Sequence, residues 1–239
     1  MKAIILNSGR GTRLYPMTRY RPKALLNIDS KPLLGYQLEM LIDCGFNSFI
    51  LTTGPFGNQI KSYVKKQYPD VRITYVKNQK YRTTNYIYSM WLTREFVDDD
   101  IILMHGDLFF EKQLLVNLVN SEYPTCVPVK KSVMSPPEKD FKAIIKNGAI
   151  IRIGVDCFGE NAYFLAPMYK LSKFDYLKWL TAIENAIKQR KTKIYAETVF
   201  NTMSDKFLLH PLYFDNEICL EIDTKQDLKQ AQKLVRKVA

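Results

Sequence analysis

Leu6-Asn7-Ser8-Gly9-Arg10-Gly11-Thr12-Arg13-Leu14, followed by Pro22-Lys23-Ala24-Leu25, is the stretch that decides how the rest of the chain is read. It follows a short apolar run, 3–6, that reads as a buried strand. A glycine-rich loop directly after a first strand turns backbone N–H groups toward an anion. Glycine is needed where a Cβ would block close approach or where the turn requires positive φ. The spacing excludes a dinucleotide fingerprint, because GxGxxG needs glycine where Leu14 stands. It excludes a P-loop as well, because GxxxxGK[ST] is not met. Arg13 and Lys23, with no acidic residue between them, can face the loop and neutralise a triphosphate.

Outward from this loop, apolar runs alternate with amphipathic stretches. Residues 33–44 carry a helical apolar face, with Pro32 just inside the start and Gly45 just past the end. Strands are expected at 49–53, 71–76, 101–104 and 125–129, and helices at 59–67, 86–96 and 111–120. Strand–helix alternation with apolar strands predicts a parallel, doubly wound sheet. The second half differs. Segments 142–146 and 149–153, joined by Asn147-Gly148, predict a hairpin with a type I′ turn. A strand at 163–166, a long helix at 172–189, strands at 207–213 and 218–222, and a basic amphipathic helix at 225–237 follow. No linker, repeat or low-complexity tract interrupts the chain. The expectation is one α/β domain over 1–239, a Rossmann-like doubly wound mixed sheet. Residues 1–124 form its nucleotide-binding half and 125–239 its hairpin-containing acceptor-binding half.

The chain has 239 residues with 35 Lys+Arg against 24 Asp+Glu, a formal net charge of +11. That balance favours anionic partners. Seven of the basic residues crowd into 1–31 against Asp29 alone, while those at 61–82 and 225–237 are spread as solvated helix faces. No helix-turn-helix, RNA-binding or zinc pattern accompanies the charge, which argues against nucleic acid as the partner. Apolar runs such as Ile101-Ile102-Leu103-Met104 fall far short of the ~20 residues of a membrane span. The opening residues turn polar at Asn7-Ser8, too early for a signal peptide, so a cytoplasmic location is expected. The four cysteines form no CxxC pair and read as small buried hydrophobes. With two histidines in all, a His-based zinc site is disfavoured.

The segment 6–25 resembles the signature of the nucleotidyltransferases, the sugar-nucleotide pyrophosphorylases and related cytidylyltransferases, with Asn7-Ser8 in place of the usual small pair. Gly106-Asp107 and Glu221-Ile222-Asp223 extend the resemblance over nearly the whole chain. It is most similar to the short phosphocholine-cytidylyltransferase-like branch. Within that branch Thr53-Gly54-Pro55-Phe56, Thr84-Asn85-Tyr86-Ile87-Tyr88-Ser89-Met90 and Glu138-Lys139-Asp140-Phe141-Lys142 resemble enzymes that activate 2-aminoethylphosphonate or phosphoglutamine. The resemblance implies a CTP-dependent transfer that releases pyrophosphate and serves bacterial cell-surface or capsule decoration. It assigns Arg13 and Lys23 to catalysis. It assigns Leu6, Asn7, Ser8, Gly9, Gly11, Thr12, Thr84, Asn85, Ser89 and Gly106 to the nucleotide. CTP rather than another nucleotide comes from the resemblance, not from a base-reading residue.

Asp107 ends a buried strand where ligands of open α/β sheets lie, and a carboxylate there would repel a triphosphate unless a cation stood between. Mg²⁺ is the expected cofactor, being hard and oxygen-seeking. The resemblance places its ligands at Asp107 and Asp223, with Glu221 close by. Asp223 has a competing reading, an N-cap for the helix that follows. For the acceptor, Lys139, Asp140 and Lys142 suit a small zwitterion: lysines for its phosphate or phosphonate, the carboxylate for its ammonium. A quaternary ammonium would instead prefer an aromatic cage. Glu197, Tyr86, Tyr169 and Lys170 are further candidates for the acceptor wall. A sugar-1-phosphate nucleotidyltransferase is the alternative enzyme. A homodimer is compatible with all of this.

Overall fold

The computed structural model describes residues 1–131 and 138–238. The chain runs β1 (Lys2–Asn7), α1 (Leu33–Asp43), β2 (Ser48–Thr53), α2 (Gly57–Gln67), β3 (Arg72–Lys77), α3 (Tyr86–Leu92), β4 (Ile101–His105), β5 (Leu108–Phe110), α4 (Lys112–Val119) and β6 (Cys126–Lys130). It continues with β7 (Lys142–Lys146), β8 (Ala149–Gly154), β9 (Ala162–Leu165), β10 (Met168–Leu171), α5 (Lys173–Lys188), α6 (Ala196–Phe200), β11 (His210–Tyr213), β12 (Cys219–Glu221) and α7 (Lys225–Val238).

One ten-stranded mixed sheet carries strands of both halves in the order β3-β2-β1-β4-β10-β6-β9-β7-β8, with β11 beside β6. Strands β3, β2, β1 and β4 are parallel, as the alternating first half predicts. β10 then runs antiparallel to both β4 and β6. The sheet is covered on both faces, and strand alternation shows it. Ala3, Ile5, Phe49, Leu51, Ile102 and Met104 pack into one core with α1, α2, α4 and α7. Ile4, Leu6, Ile50, Ile101 and Leu103 pack into the other with α3, α5 and α6. Strands buried on both sides must be apolar throughout, which is why they read as continuous runs.

The hairpin turn has Asn147 at φ 52° and Gly148 at φ 75°, both left-handed as a type I′ turn demands. The expected helix over 86–96 stops earlier. Its α-helical part ends at Leu92 and a 3₁₀ turn, Thr93–Phe96, follows. The expected strand over 207–213 begins only at His210. Sequence reading missed β10, although it lies at the middle of the sheet. Lys170 in its centre breaks the apolar run, yet that lysine is satisfied by donating to the carbonyls of Val119 and Ser121 at 3.0 and 2.7 Å. A small second sheet, β5 with β12, brings segment 219–221 back against the end of β4.

Candidate active site

The loop after β1 leaves the sheet at its carboxyl edge. It is anchored to β2: the Asn7 amide and the Ser8 hydroxyl both donate to the Thr52 hydroxyl at 3.0 Å. Gly11 has φ 64°, and a Cβ there would come within 3.2 Å of Lys23 and Thr18, so both torsion and space require glycine. Gly106 serves close approach. A Cβ would lie 1.9 Å from the Asn7 amide oxygen and 2.8 Å from the Leu6 carbonyl, so the end of β4 can abut the loop only without a side chain.

Four charged residues, drawn from three distant parts of the chain, meet at the loop. Lys23 Nζ lies 2.7 Å from Asp107 Oδ2 and 2.8 Å from Asp223 Oδ1. Arg13 Nη2 also donates to Asp223 Oδ1, at 2.8 Å. Asp107 follows β4, Asp223 follows β12, and Lys23 opens the 3₁₀ turn Lys23–Leu25 after Pro22. Burial alone would lower the Lys23 ammonium. The charges of Asp107 and then Asp223, with hydrogen bonds to both, outweigh burial and hold it above the ordinary lysine value. For Asp107 burial pushes upward, and Lys23, then His105, more than reverse it, so the carboxylate stays ionised. Glu221 forms no ion pair among the described residues, and Lys23 offsets its burial only in part. Burial first, then the charges of Asp107, Asp223 and Asp140, raise its carboxyl well above the ordinary range.

The helix-cap reading of Asp223 is corrected by the geometry. Thr224 Oγ1 accepts from the Asp227 amide at 3.2 Å, and the Asp227 carboxylate reaches back to the Thr224 and Asp223 amides at 2.8 and 2.9 Å. That is a capping box built on Thr224. It leaves the Asp223 carboxylate free for Lys23 and Arg13.

The residues fit a divalent cation. His105, Asp107 and Glu221 each offer one ligand atom, all within 4.8 Å of one another. Asp107 Oδ1 and Glu221 Oε1 are buried without a hydrogen-bond partner among the described residues. Orphaned carboxylate oxygens facing one point match the oxygen preference of Mg²⁺. A cation there would also relieve the repulsion that helps raise the Glu221 carboxyl. Relative to the expected set of Asp107, Asp223 and Glu221, this cluster brings in His105 and leaves Asp223 paired to Lys23 and Arg13. His105 carries no local motif, and only the pairing of β4 with β1 brings it here.

A cavity of about 410 Å³ joins these groups. Leu6, Asn7, Ser8, Gly9, Gly11 and Thr12 line it from the loop, with Arg13, Lys23, Gly106, Asp107, Glu221 and Asp223 beside them. Thr84, Asn85 and Ser89 line it from the start of α3, and Lys139 from the segment before β7. Asp140, Lys142 and Glu197 do not line it. Phe141 does, and the alternation of an extended segment turns its neighbours away. Asp140 is buried with Oδ1 lacking a partner among the described residues, and burial above all raises its carboxyl. Lys142 Nζ lies 4.8 Å from the centre of the Phe158 ring and donates to the Glu138 carbonyl at 3.4 Å. Lys139 lines the cavity while paired to Asp227 at 2.6 Å. Glu197 is buried behind the wall, where it accepts from the phenols of Tyr86 and, at 2.8 Å, Tyr169. Tyr169 and Lys170 lie off the cavity, and Tyr86 lines it.

Sequence reading named Tyr86 for the acceptor wall and took Phe141 only as part of the 139–142 run; it missed Tyr195 and the aromatic wall that the three rings form. Tyr86 packs on His105 at 4.6 Å and on Tyr195 at 6.0 Å between ring centres, and Phe141 packs on Tyr195 at 5.1 Å. Single aromatics at element ends have no local signature, so only the fold assembles them.

A mixed sheet whose parallel strands carry a glycine-rich loop, with a lysine set between two carboxylates, defines a nucleotide-handling enzyme of the α/β class. The nucleotidyl transferase family model matches residues 2–132 of the 239, and the chain belongs to that family. It is 38% identical over 123 residues to a choline-phosphate cytidylyltransferase of Streptococcus pneumoniae, a match covering 52% of each protein. It is 28% identical over 192 residues to a CTP:phosphoglutamine cytidylyltransferase of Campylobacter jejuni, covering 74% of each. Sugar-1-phosphate nucleotidyltransferases also stand among its relatives. The fold superposes on the inositol-1-phosphate CTP transferase of T. maritima with a TM-score of 0.81 at 24% identity, covering 99% of this chain and 95% of that one.

Proposed function

We propose that this enzyme transfers CMP from CTP to a small amine-bearing phosphate or phosphonate, releasing pyrophosphate. The observation that carries the reading is Lys23 bridging Asp107 and Asp223 at the rim of the glycine loop, with unpartnered oxygens of Asp107 and Glu221 alongside. Arg13 and Lys23 hold the phosphates of the nucleotide, and the loop amides add fixed dipoles. The start of α3, with Thr84, Asn85 and Ser89, faces the nucleoside. A phosphate or phosphonate oxygen is already anionic and needs no general base to attack the α-phosphorus in line. Catalysis by this chain then rests on positioning and charge neutralisation. Mg²⁺, held by Asp107 and Glu221 with Asp223 adjoining, supplies further neutralisation of the phosphate charge when bound.

CTP is supported by the cytidylyltransferases among the relatives. The acceptor's nitrogen end is assigned to the wall of Tyr86, Phe141 and Tyr195, with Lys139 at its edge. With Asp140 turned away, that wall admits a quaternary ammonium such as phosphocholine beside the primary amines of 2-aminoethylphosphonate and phosphoglutamine. The same reading carries action of 1–239 as one unit, a cytoplasmic location and a role in cell-surface decoration. A pyrophosphate-release screen tests it, crossing CTP, UTP, dTTP and ATP with the three amine-bearing acceptors and with sugar 1-phosphates. Release is expected with CTP and an amine-bearing acceptor. Release with UTP or dTTP and a sugar 1-phosphate establishes the alternative instead.

A further inference from the structure

A second cavity of about 100 Å³ opens at the carboxyl ends of β2 and β3, beside the start of α2. It shares no residue with the main cavity. Lys61 and Lys77 stand in its wall and no carboxylate does. The helix that borders it is 11 residues long, and the amides of Gly57 and Asn58 at its start have no acceptor among the described residues. Such a start favours negative charge.

Thr53 supplies an independent sign of a ligand. It is the last residue of β2, lies in the cavity wall and is 2% exposed, yet its hydroxyl has no partner among the described residues. The hydroxyl faces the first residue of the helix: a Cβ on Gly57 would sit 3.0 Å from Thr53 Oγ1. Its neighbour Thr52 points to the opposite face and is occupied by the loop, accepting from Asn7 and Ser8. The residue as a whole is nearly buried while its hydroxyl stays open to the cavity, so it offers a fixed donor to an acceptor seated there. An oxyanion accepts from a hydroxyl, two amides and two lysines at once. The volume suits a phosphate or pyrophosphate ion and is about a quarter of the cavity assigned to the nucleotide.

We propose that this cavity is a second anion site, separate from the reaction centre, for inorganic phosphate or pyrophosphate. Its existence is independent of the reaction proposed above. The test is titration of the full chain with each ion separately, followed by calorimetry and ³¹P NMR. Lys61→Ala and Lys77→Ala remove exposed lysines, and Thr53→Val keeps the buried shape. Lys77→Ala and Thr53→Val are expected to weaken binding at least about tenfold, while Lys23→Ala at the reaction centre changes it less than about twofold. The ion that binds more tightly names the occupant. Absence of saturable binding overturns the proposal. So does binding that Lys23→Ala abolishes and Lys77→Ala leaves intact.

Discussion

The two walls of the main cavity are built from different materials. The wall around the loop presents backbone amides, Arg13, Lys23 and three carboxyls, and its geometry is fixed by ion pairs of 2.7–2.8 Å. The facing wall presents rings: Tyr86, Phe141 and Tyr195, with His105 between. Charged groups set against each other are held by partners, and removing one leaves the rest buried and unpaired. Rings hold by area and shape, and each can be trimmed at modest cost. The first kind of wall suits chemistry on phosphates that must not vary. The second suits a recognition surface that can change from one acceptor to another. The charged wall is therefore assigned to turnover and the aromatic wall to acceptor choice.

Substitutions can break that division. The largest effect is expected from the metal site. Chelation with EDTA should abolish activity and Mg²⁺ restore it, and Asp107→Asn should raise the Mg²⁺ needed for half-maximal rate. Unchanged Mg²⁺ dependence in that variant would remove Asp107 from the site. Next, Lys23→Ala should lower kcat/KM at least ~10²-fold, the scale of one lost contact to developing charge. Lys23→Arg should recover little of it, because a guanidinium cannot sit between two carboxylates as a point charge does. On the other wall, Glu197→Gln should raise the acceptor KM about tenfold through the freed Tyr86 ring, with the CTP KM nearly constant. Steady-state kinetics with each substrate varied in turn checks all of these.

The smallest effect belongs to Asp140. It is buried off the cavity, so Asp140→Asn should leave the acceptor KM unchanged and raise the Mg²⁺ requirement by about twofold, through loss of one negative charge nearby. Its stability effect has a definite sign. A carboxyl whose folded value is raised costs stability as pH rises above its unfolded value, about 4. The melting temperature of the variant relative to wild type should therefore climb as pH increases from about 4. A raised acceptor KM would instead place Asp140 in the acceptor pocket.

The contrast between the walls also explains what the amino-acid order revealed. The loop is contiguous, and its demands on torsion and spacing are local, so Gly9, Gly11, Arg13 and Lys23 could be named from their order alone. The central parallel strands were equally visible, because burial on both faces writes them as unbroken apolar runs. The aromatic wall draws on α3, β4, the residue before β7 and the residue before α6, and nothing local marks Tyr195 or His105 as members. The charge pattern of 139–142 pointed all its side chains at one ligand, whereas an extended segment sends neighbours to opposite sides. Lys170 hid β10 for a related reason: its charge is answered by carbonyls that only the folded chain supplies.

Tyr195→Ala tests the division between the walls most directly. Tyr195 lines the cavity, is 39% exposed and touches other rings, so its removal leaves the charged wall in place. The acceptor KM should rise about tenfold while the CTP KM stays within about twofold of wild type. A CTP KM that rises together with the acceptor KM, or rises alone, would contradict the assignment of one wall to each substrate.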